Sequence, residues 1–316
     1  MGKFILKRIA LALLIVFIVS IFAFLLMRIL PGNPVVIALG ESAPEEKIRE
    51  YEDKYHLNEP LLKQYALWIG GCLKGNFGQS ILYGEDITVL IKTKLPVTVS
   101  IGIPVMIISA VLGVLIGIVT AVKRGSLVDQ GLTLLANVAV GVPNFWIAIL
   151  LIYFFGLITK LLPIQGYVAP SENFHELVRC AILPVTCMSF GFVATIARQT
   201  RSSMLEIINQ DYIRTARANG LSSGKVIFGH AMKNAMIPVI TIIGLQVRVI
   251  VGGSVVIEKI FNIPGIGNLL MRAVSERDYF IVQACVLIIC IVTVGCNLIV
   301  DLLYGLLDPR VRKDWR

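Results

Sequence analysis

The chain has 316 residues, of which 56% are hydrophobic and 16% charged, and its formal net charge at pH 7 is +9. Because soluble domains carry about 25% charged residues, this composition excludes a disordered chain and argues against a water-soluble globule. We therefore expect lipid to cover much of the surface. The six cysteines form no CxxC pair, so we interpret them as small apolar side chains and not as metal ligands or disulfides.

Long uncharged runs mark the predicted membrane spans. A helix needs about 20 apolar residues to cross a bilayer. Five runs between charged residues are long enough, and a sixth is interrupted only by Arg248. The six predicted spans are 9–27, 95–122, 130–159, 180–197, 234–257 and 279–300. The predicted fold class is therefore all-α and integral to the membrane, with six transmembrane helices.

The first apolar run follows Lys3, Lys7 and Arg8, as the core of a secretory signal peptide would. It is longer than such a core, and no small-residue cleavage pattern precedes Arg28, so we expect a retained span. If the N-terminus is cytoplasmic, the cytoplasmic segments contain more Lys and Arg residues than the short external loops do, as is typical of membrane proteins. Both termini are therefore predicted to be cytoplasmic, and the positive charge reflects orientation in the membrane, not nucleic-acid binding.

The composition divides the chain into four parts. They are the N-terminus with the first span (1–30), an external segment (31–94), a membrane domain of five helices (95–306) and a cytoplasmic tail (307–316). The external segment is predicted to contain a charged helix at 44–54 and a second helix at 60–73. The second helix has an apolar face that could lie on the membrane, pack over the spans or contact a partner. That face holds Leu61, Leu62, Tyr65, Trp68 and Ile69.

Residues 198–234, here named the knob, carry too many charges to span and too regular a pattern to be a slack linker. Apolar side chains at three- and four-residue steps predict one helix from Met204 to Ala216, and Gly220 predicts its end. Ser222 or Ser223 is expected to cap a second helix. Two helices joined at a glycine would form a rigid unit on the cytoplasmic face.

Catalytic and metal-binding motifs are not found. The string GLSSGK at 220–225 differs from a P-loop, which has four residues between its glycines and Ser or Thr after its Lys. His56, His175 and His230 show no ligand spacing. We therefore expect no catalytic residue, no metal site and no cofactor bound by this chain.

The knob also contains a string with a recognisable pattern. DYIRTARANGL at 211–221 resembles the cytoplasmic EAA-type loop of ABC importer permeases, in the form found in dipeptide, oligopeptide and nickel permeases. Arg214 stands where the general motif has an acid, so we expect no salt bridge built on that acid. Other strings follow the order of the family's B-type subunit and extend the resemblance over nearly the whole chain. They are LPGNP (30–34), FGQS (77–80), LPVTV (95–99), PNFW (143–146), NIPGIG (262–267), RDY (277–279) and NLIVDLLYGLLDPRVR (297–312).

The resemblance implies the membrane domain of a type I ABC importer, with specific partners. These are a homologous second permease subunit, two cytoplasmic ATPases that bind ATP and Mg²⁺, and an external solute-binding protein. It implies di- or oligopeptides as substrates, with nickel or a metal chelate, or glutathione, as alternatives. The knob would transmit ATPase closure through Asp211, Tyr212, Arg214, Ala216, Gly220 and Leu221. For the small and apolar members of this set, packing inside the knob is the alternative.

Polar residues within the spans are candidates for a pore. Arg248 lies midway along the fifth predicted span, where a charge facing lipid is costly, so we expect it to face a pore or to pair with a partner subunit. Asn144, Gln246, Ser254 and Gln283 could line a pore or bond between helices.

Two further features of the spans concern contacts between helices, and the small number of ionisable residues in them concerns the class of transporter. We expect Asp301 to pair with a basic residue, and Gly113 and Gly117 to allow close helix packing. The rival class, a stand-alone secondary transporter, is typified by inverted repeats or several ionisable residues along a path.

Overall fold

The computed structural model describes residues 2–29 and 32–307, so the predictions for Leu30, Pro31 and residues 308–316 lie outside the described residues. Within these ranges the regular elements are helices, and the β pairing is confined to one bridge between Gln79 and Asp86. The helices are α1 (Gly2–Ile29), α2 (Pro34–Leu39), α3 (Glu45–Lys54), α4 (Leu61–Leu73), α5 (Ile87–Val122), α6 (Leu127–Gly141), α7 (Asn144–Leu151), α8 (Phe174–Ile208), α9 (Asp211–Ala218), α10 (Met232–Ile260), α11 (Ile266–Glu276) and α12 (Tyr279–Leu307). Two π-helical turns, Ile152–Ile158 and Lys225–Ala231, extend α7 and precede α10.

Five of the predicted spans lie in helices long and apolar enough to cross a membrane, namely α1, α5, α8, α10 with its π-helical turn, and α12. The third predicted span, 130–159, is not one straight helix, because α6 and α7 meet at an angle of 107°. Val142 adopts extended dihedrals (φ −88°, ψ 127°) since the ring of Pro143 disfavours the helical conformation in the residue before it. The six predicted spans are thus five helices and one bent pair.

Helices α1 and α12 pack together and bring the two ends of the described chain to one side. A terminal nitrogen of Arg8 lies 2.7 Å from a carboxylate oxygen of Asp301, which confirms the predicted pairing of Asp301 with a basic residue. We call this side, which also holds α9, the N-terminal face. Because successive spans alternate in direction, α2, α3, α4 and α11 lie at the opposite face.

Helices α5 and α8 form the central contact of the fold. A Cβ atom at Gly113 would lie 2.6 Å from Cβ of Ile196, and one at Gly117 would lie 2.4 Å from Cβ of Thr200. The two glycines therefore allow the helix axes to approach closely, as the sequence predicted. Buried apolar side chains on both helices, among them Val105 and Met188, extend this contact into the main core.

The segment between α1 and α5 contains the two helices predicted there, as α3 and α4. The rings of Tyr65 and Trp68 on α4 pack against Phe24 of α1, with centroids 5.5 and 6.1 Å apart. Leu61 and Leu62 on the same helix remain exposed. This part of the apolar face therefore packs on the first span. Helix α5 begins at Ile87, capped by Asp86, so the helix starts before the predicted boundary at residue 94.

Candidate functional site

The knob begins differently from its predicted form. Instead of one helix from Met204 to Ala216, α8 continues to Ile208, and α9 starts as a separate helix. The side-chain amide of Asn209 donates to the carbonyl of Leu205 at 2.9 Å and so satisfies one of the last carbonyls of α8. Gln210 then adopts extended dihedrals and turns the chain. The helical period continues through this break, which is why the pattern concealed it.

The turn after α9 confirms one prediction and corrects another. Gly220 follows the end of α9 with φ at +79°, a conformation that favours glycine. Ser222 directly precedes the second helix, which begins at residue 223, but in the described part of the chain neither Ser222 nor Ser223 makes the predicted capping bond through its hydroxyl. The next helical turn is closed by backbone, with Val226 N–H donating to the Ser222 carbonyl at 3.0 Å.

A small apolar core holds the knob to the ends of the spans. Ile213 of α9 is fully buried against Met204 of α8, Val226 of the π-helical turn and Ala235 of α10. Ala216 is half-buried and packs on the same cluster. The knob is therefore a packed unit, and Ala216 contributes to its interior as well as to its surface.

The remaining residues predicted for coupling are exposed on the N-terminal face. Tyr212 and Leu221 are 41% and 38% exposed, and Asp211, Arg214 and Gly220 are also exposed. The Tyr212 hydroxyl accepts a hydrogen bond of 2.8 Å from the side chain of Asn234, which ties α9 to the start of α10. The knob thus presents apolar and aromatic side chains on a braced helix.

Phe228, which the sequence did not single out, is also exposed on the knob, in the π-helical turn. Its only sequence signal was an aromatic residue within a charged loop.

Helix α10 has two contrasting faces in the membrane region. One face lines a cavity of about 450 Å³ between α5, α10 and α12, whose walls are almost entirely apolar. The α10 residues on this cavity include Ile243, Val247, Ile250 and Ser254. The other face is exposed along several turns and carries Leu245, Arg248, Val249, Gly252 and Val256. At 3.6 residues per turn these two sets lie on opposite sides of the helix.

The structure distributes the predicted pore candidates and does not gather them into one site. Ser254 is buried and lines the apolar cavity, whereas Arg248 is exposed on the other face of α10. Gln246 is half-buried. Asn144 is half-buried at the start of α7, and its carbonyl accepts a hydrogen bond from the Cys187 thiol.

Gln283 was also a candidate, and its contacts favour the helix-bonding alternative. It is buried and donates to the Phe24 carbonyl at 3.4 Å. Among the described residues, Arg248 makes no hydrogen bond or ion pair.

A buried carboxylate at the end of α10 was missed by the sequence reasoning. Glu258 is 1% exposed and accepts hydrogen bonds from the Thr98 hydroxyl (2.7 Å) and the Asn268 backbone N–H (3.0 Å). A Cβ atom at Gly265 would lie 2.5 Å from the Glu258 carboxyl carbon, so the glycine is needed for this approach. The carboxylate therefore joins α5, α10 and the start of α11 at one end of the apolar cavity.

A second buried carboxylate joins the segment before α5 to the start of α12. The Ser80 hydroxyl donates to Asp278, and the Ile281 backbone N–H donates to the same carboxylate at 3.2 Å. Burial raises the pKa of the Asp278 carboxyl, while these hydrogen bonds act in the opposite direction. The strings FGQS and RDY thus meet in space although they are far apart in sequence.

The described part of the chain holds no group of three His, Cys, Asp or Glu residues placed to bind a metal ion. The six cysteines are free thiols, of which Cys187 and Cys285 are buried. The arrangement offers buried joints, a packed knob and an exposed face of α10 that carries one charged residue, Arg248.

Five apolar helices and one bent pair of helices long enough to cross a bilayer are typical of a multi-pass membrane protein. Residues 113–313 match the family described as binding-protein-dependent transport system inner membrane component, and residues 1–102 match the N-terminal part of such components. The chain belongs to this family of ABC importer permeases, which confirms the resemblance seen in the sequence.

Curated relatives align along their full length. A probable peptide ABC transporter permease of Sinorhizobium fredii is 40% identical over 99% of this chain and 100% of its own. A di/tripeptide permease of Pseudomonas aeruginosa is 36% identical over 99% of both chains. An oligopeptide permease of Bacillus subtilis is 34% identical, over 98% of this chain and 99% of its own.

Among solved structures, an amino acid ABC transporter with histidines shares the fold, with a TM-score of 0.54 at 14% identity. The match covers 69% of this chain and 94% of the other. The predicted all-α type I importer domain is therefore confirmed.

Proposed function

We propose that this chain is one of two permease subunits of an ATP-driven importer and forms half of its pathway for di- or oligopeptides. The observation that carries the proposal is the end-to-end match to permeases named for peptide transport in three different bacteria. Those names favour peptides over nickel or a metal chelate. Family membership also favours a multi-subunit importer over a stand-alone secondary transporter.

The exposed surface of the knob is proposed to bind a cytoplasmic ATPase subunit, which itself holds ATP and Mg²⁺. Tyr212 and Leu221 would enter a groove of that subunit, and Gly220 would let the two backbones approach. The buried Ile213 supports this role, because a braced helix transmits displacement to α8 and α10 and a loose loop does not. The Lys and Arg residues of the knob support a cytoplasmic location for the N-terminal face.

The exposed face of α10 is proposed to line the pathway, with the second permease subunit opposite. A peptide carries charged termini and many backbone polar groups, so the nearly apolar cavity on the other face of α10 suits it poorly. Arg248 supplies a cation that could meet a substrate carboxylate or backbone carbonyl.

The test is reconstitution of the assembled importer in proteoliposomes with its external binding protein. We expect uptake of a labelled tripeptide only when both ATPases and ATP are present, and no uptake of labelled nickel. Peptide uptake by this chain without ATPases would contradict the proposal. ATP-dependent nickel uptake without peptide uptake would replace the proposed substrate.

A further inference from the structure

A second cavity, of about 360 Å³, lies at the opposite face of the protein. Its walls come from the end of α1, the end of α3, one side of α4, the loop at 76–79 and the start of α12. It is separate from the cavity beside α10 and has no part in the proposed pathway or coupling. Two cations, Arg28 and Lys54, line it, as does His56, and none of the acidic residues in the described ranges does.

The Arg28 guanidinium is held at this cavity by one of its five N–H donors. Its Nε donates to Oε1 of Gln64 at 3.0 Å. The orientation of the Gln64 amide is fixed, because its nitrogen donates to the carbonyls of Leu57 (2.9 Å) and Glu59 (2.8 Å). The guanidinium carbon lies 4.7 Å from the centroid of the Phe24 ring. Among the described residues, the two terminal nitrogens of Arg28 have no hydrogen-bond acceptor and no carboxylate partner.

A second cation stands at the cavity. Lys54 is exposed, its Nζ lies 5.6 Å from the ring centroids of Tyr51 and Tyr55, and in the described ranges it forms no ion pair. Trp68 also lines the cavity, but its indole nitrogen is closed off from solvent and therefore from a ligand. Two cations without a counter-charge beside one cavity favour the binding of an anion there.

The position of the cavity indicates the source of the anion. Arg28 ends the apolar run of α1, and its neighbours Leu25, Leu26 and Ile29 are exposed as lipid-facing side chains would be. Leu67 lines the cavity and is itself exposed. Trp, Arg and Lys are typical of the level where headgroups meet acyl chains. We propose that this cavity binds the phosphate of an anionic phospholipid headgroup, with Arg28 and Lys54 as donors.

The proposal can be tested on the assembled importer purified in detergent. Phosphatidylglycerol is titrated, and lipid bound to the complex is counted by native mass spectrometry. Glycerol 3-phosphate, which carries a phosphate ester without acyl chains, is titrated in a parallel series. The variants are Arg28→Gln and Lys54→Gln, each of which removes one positive charge, and Arg28→Lys, which keeps the charge. Arg49→Gln is the control, since it removes one exposed cation from α3 outside the cavity.

We expect Arg28→Gln and Lys54→Gln each to weaken phosphatidylglycerol binding about fivefold, the usual contribution of one basic residue at a membrane surface. Arg49→Gln is expected to leave it unchanged, and Arg28→Lys to keep most of it. Equal binding by Arg28→Gln and Arg49→Gln would overturn the proposal. Binding of glycerol 3-phosphate as tightly as the lipid would overturn the lipid source and assign a soluble anion. Unchanged lipid binding with weaker docking of the external binding protein would assign the cavity to that protein instead.

Discussion

Arg201 on α8 donates two hydrogen bonds to the carboxylate of Asp129 on α6, with nitrogen–oxygen distances of 2.8 and 3.0 Å. Such two-point pairing fixes the relative orientation of both groups. The Asp129 side chain is only 5% exposed, and it also accepts from the Gly125 backbone at 3.0 Å. The pair joins the start of the bent span to the part of α8 with which the knob begins.

Removing the charge of Asp129 should therefore destabilise the protein more than removing an exposed acid. We expect Asp129→Asn to lower the thermal midpoint of the purified complex by a few degrees, because Arg201 loses its counter-charge. Glu59→Gln, which breaks the exposed pair with Lys63, is the control and should have little effect. The midpoints are measured by thermal denaturation in detergent. Equal midpoints for the two variants would show that the Arg201–Asp129 pair stabilises the protein no more than an exposed ion pair does.

Gly117 is expected to tolerate no side chain. A Cβ atom there would also lie 2.7 Å from the backbone carbonyl oxygen of Ala197, which cannot move aside easily. Overpacking of this kind costs about 1 to 3 kcal/mol, so Gly117→Ala should lower the free energy of unfolding. Gly131→Ala is the matched control, since nothing lies within 4 Å of the added carbon. Denaturant unfolding of both variants measures the difference, and equal stabilities would contradict close packing of α5 on α8.

The buried Asp278 predicts a pH dependence with a definite sign. Burial raises the pKa of its carboxyl above the ordinary value of 3.8. The folded protein then holds this proton more tightly than the unfolded chain. The stability that Asp278 contributes therefore falls as the pH rises from about 4 through the raised pKa. Asp278→Asn should remove this dependence. The thermal midpoint of the variant, relative to that of the wild type, should therefore increase as the pH rises from 4 to 7.

The control for that measurement is Glu50→Gln, which removes an exposed acid from α3. Its midpoint is measured over the same range, so that a change shared by both variants is not assigned to Asp278. A constant difference between Asp278→Asn and the wild type would mean that the Asp278 pKa is not raised in the folded protein.

Features that depend on one stretch of sequence were predictable. Five spans follow directly from uncharged runs, and the close approach at Gly113 and Gly117 follows from their spacing. The bend between α6 and α7 was not predicted, because the hydropathy of the run 130–159 does not change at Pro143. The break before α9 escaped because a local bond from Asn209 ends the helix while the apolar period continues.

The buried joints of the candidate site could not be predicted in the same way. Glu258 becomes a joint only when Thr98 and Asn268 are brought to it from α5 and α11. A sequence pattern gives no indication of such pairing across distant helices. The exposed part of the knob was predictable from the family string, whereas the burial of Ile213 and the inward packing of Ala216 came from tertiary contacts.

Arg248 offers a test that separates its two expected roles. If it faces the pathway, Arg248→Gln should reduce peptide uptake severalfold while the second permease subunit still co-purifies. If it pairs with an acid of that subunit, the same change should reduce co-purification. Val249→Ala, one residue along the same exposed face, is the control for local disturbance. Unchanged uptake and unchanged co-purification would exclude both roles.

If the knob couples ATP hydrolysis to transport, a change in its surface should alter how many peptides are imported for each ATP hydrolysed. This ratio can be measured directly in proteoliposomes. Leu221→Glu places a charge on the exposed apolar surface of the knob, whereas Glu206→Gln alters an exposed residue of α8 outside α9 and its turn. We predict that Leu221→Glu lowers this ratio severalfold in a complex that still assembles, and that Glu206→Gln leaves it unchanged. The same ratio in Leu221→Glu and in the wild type would contradict the account.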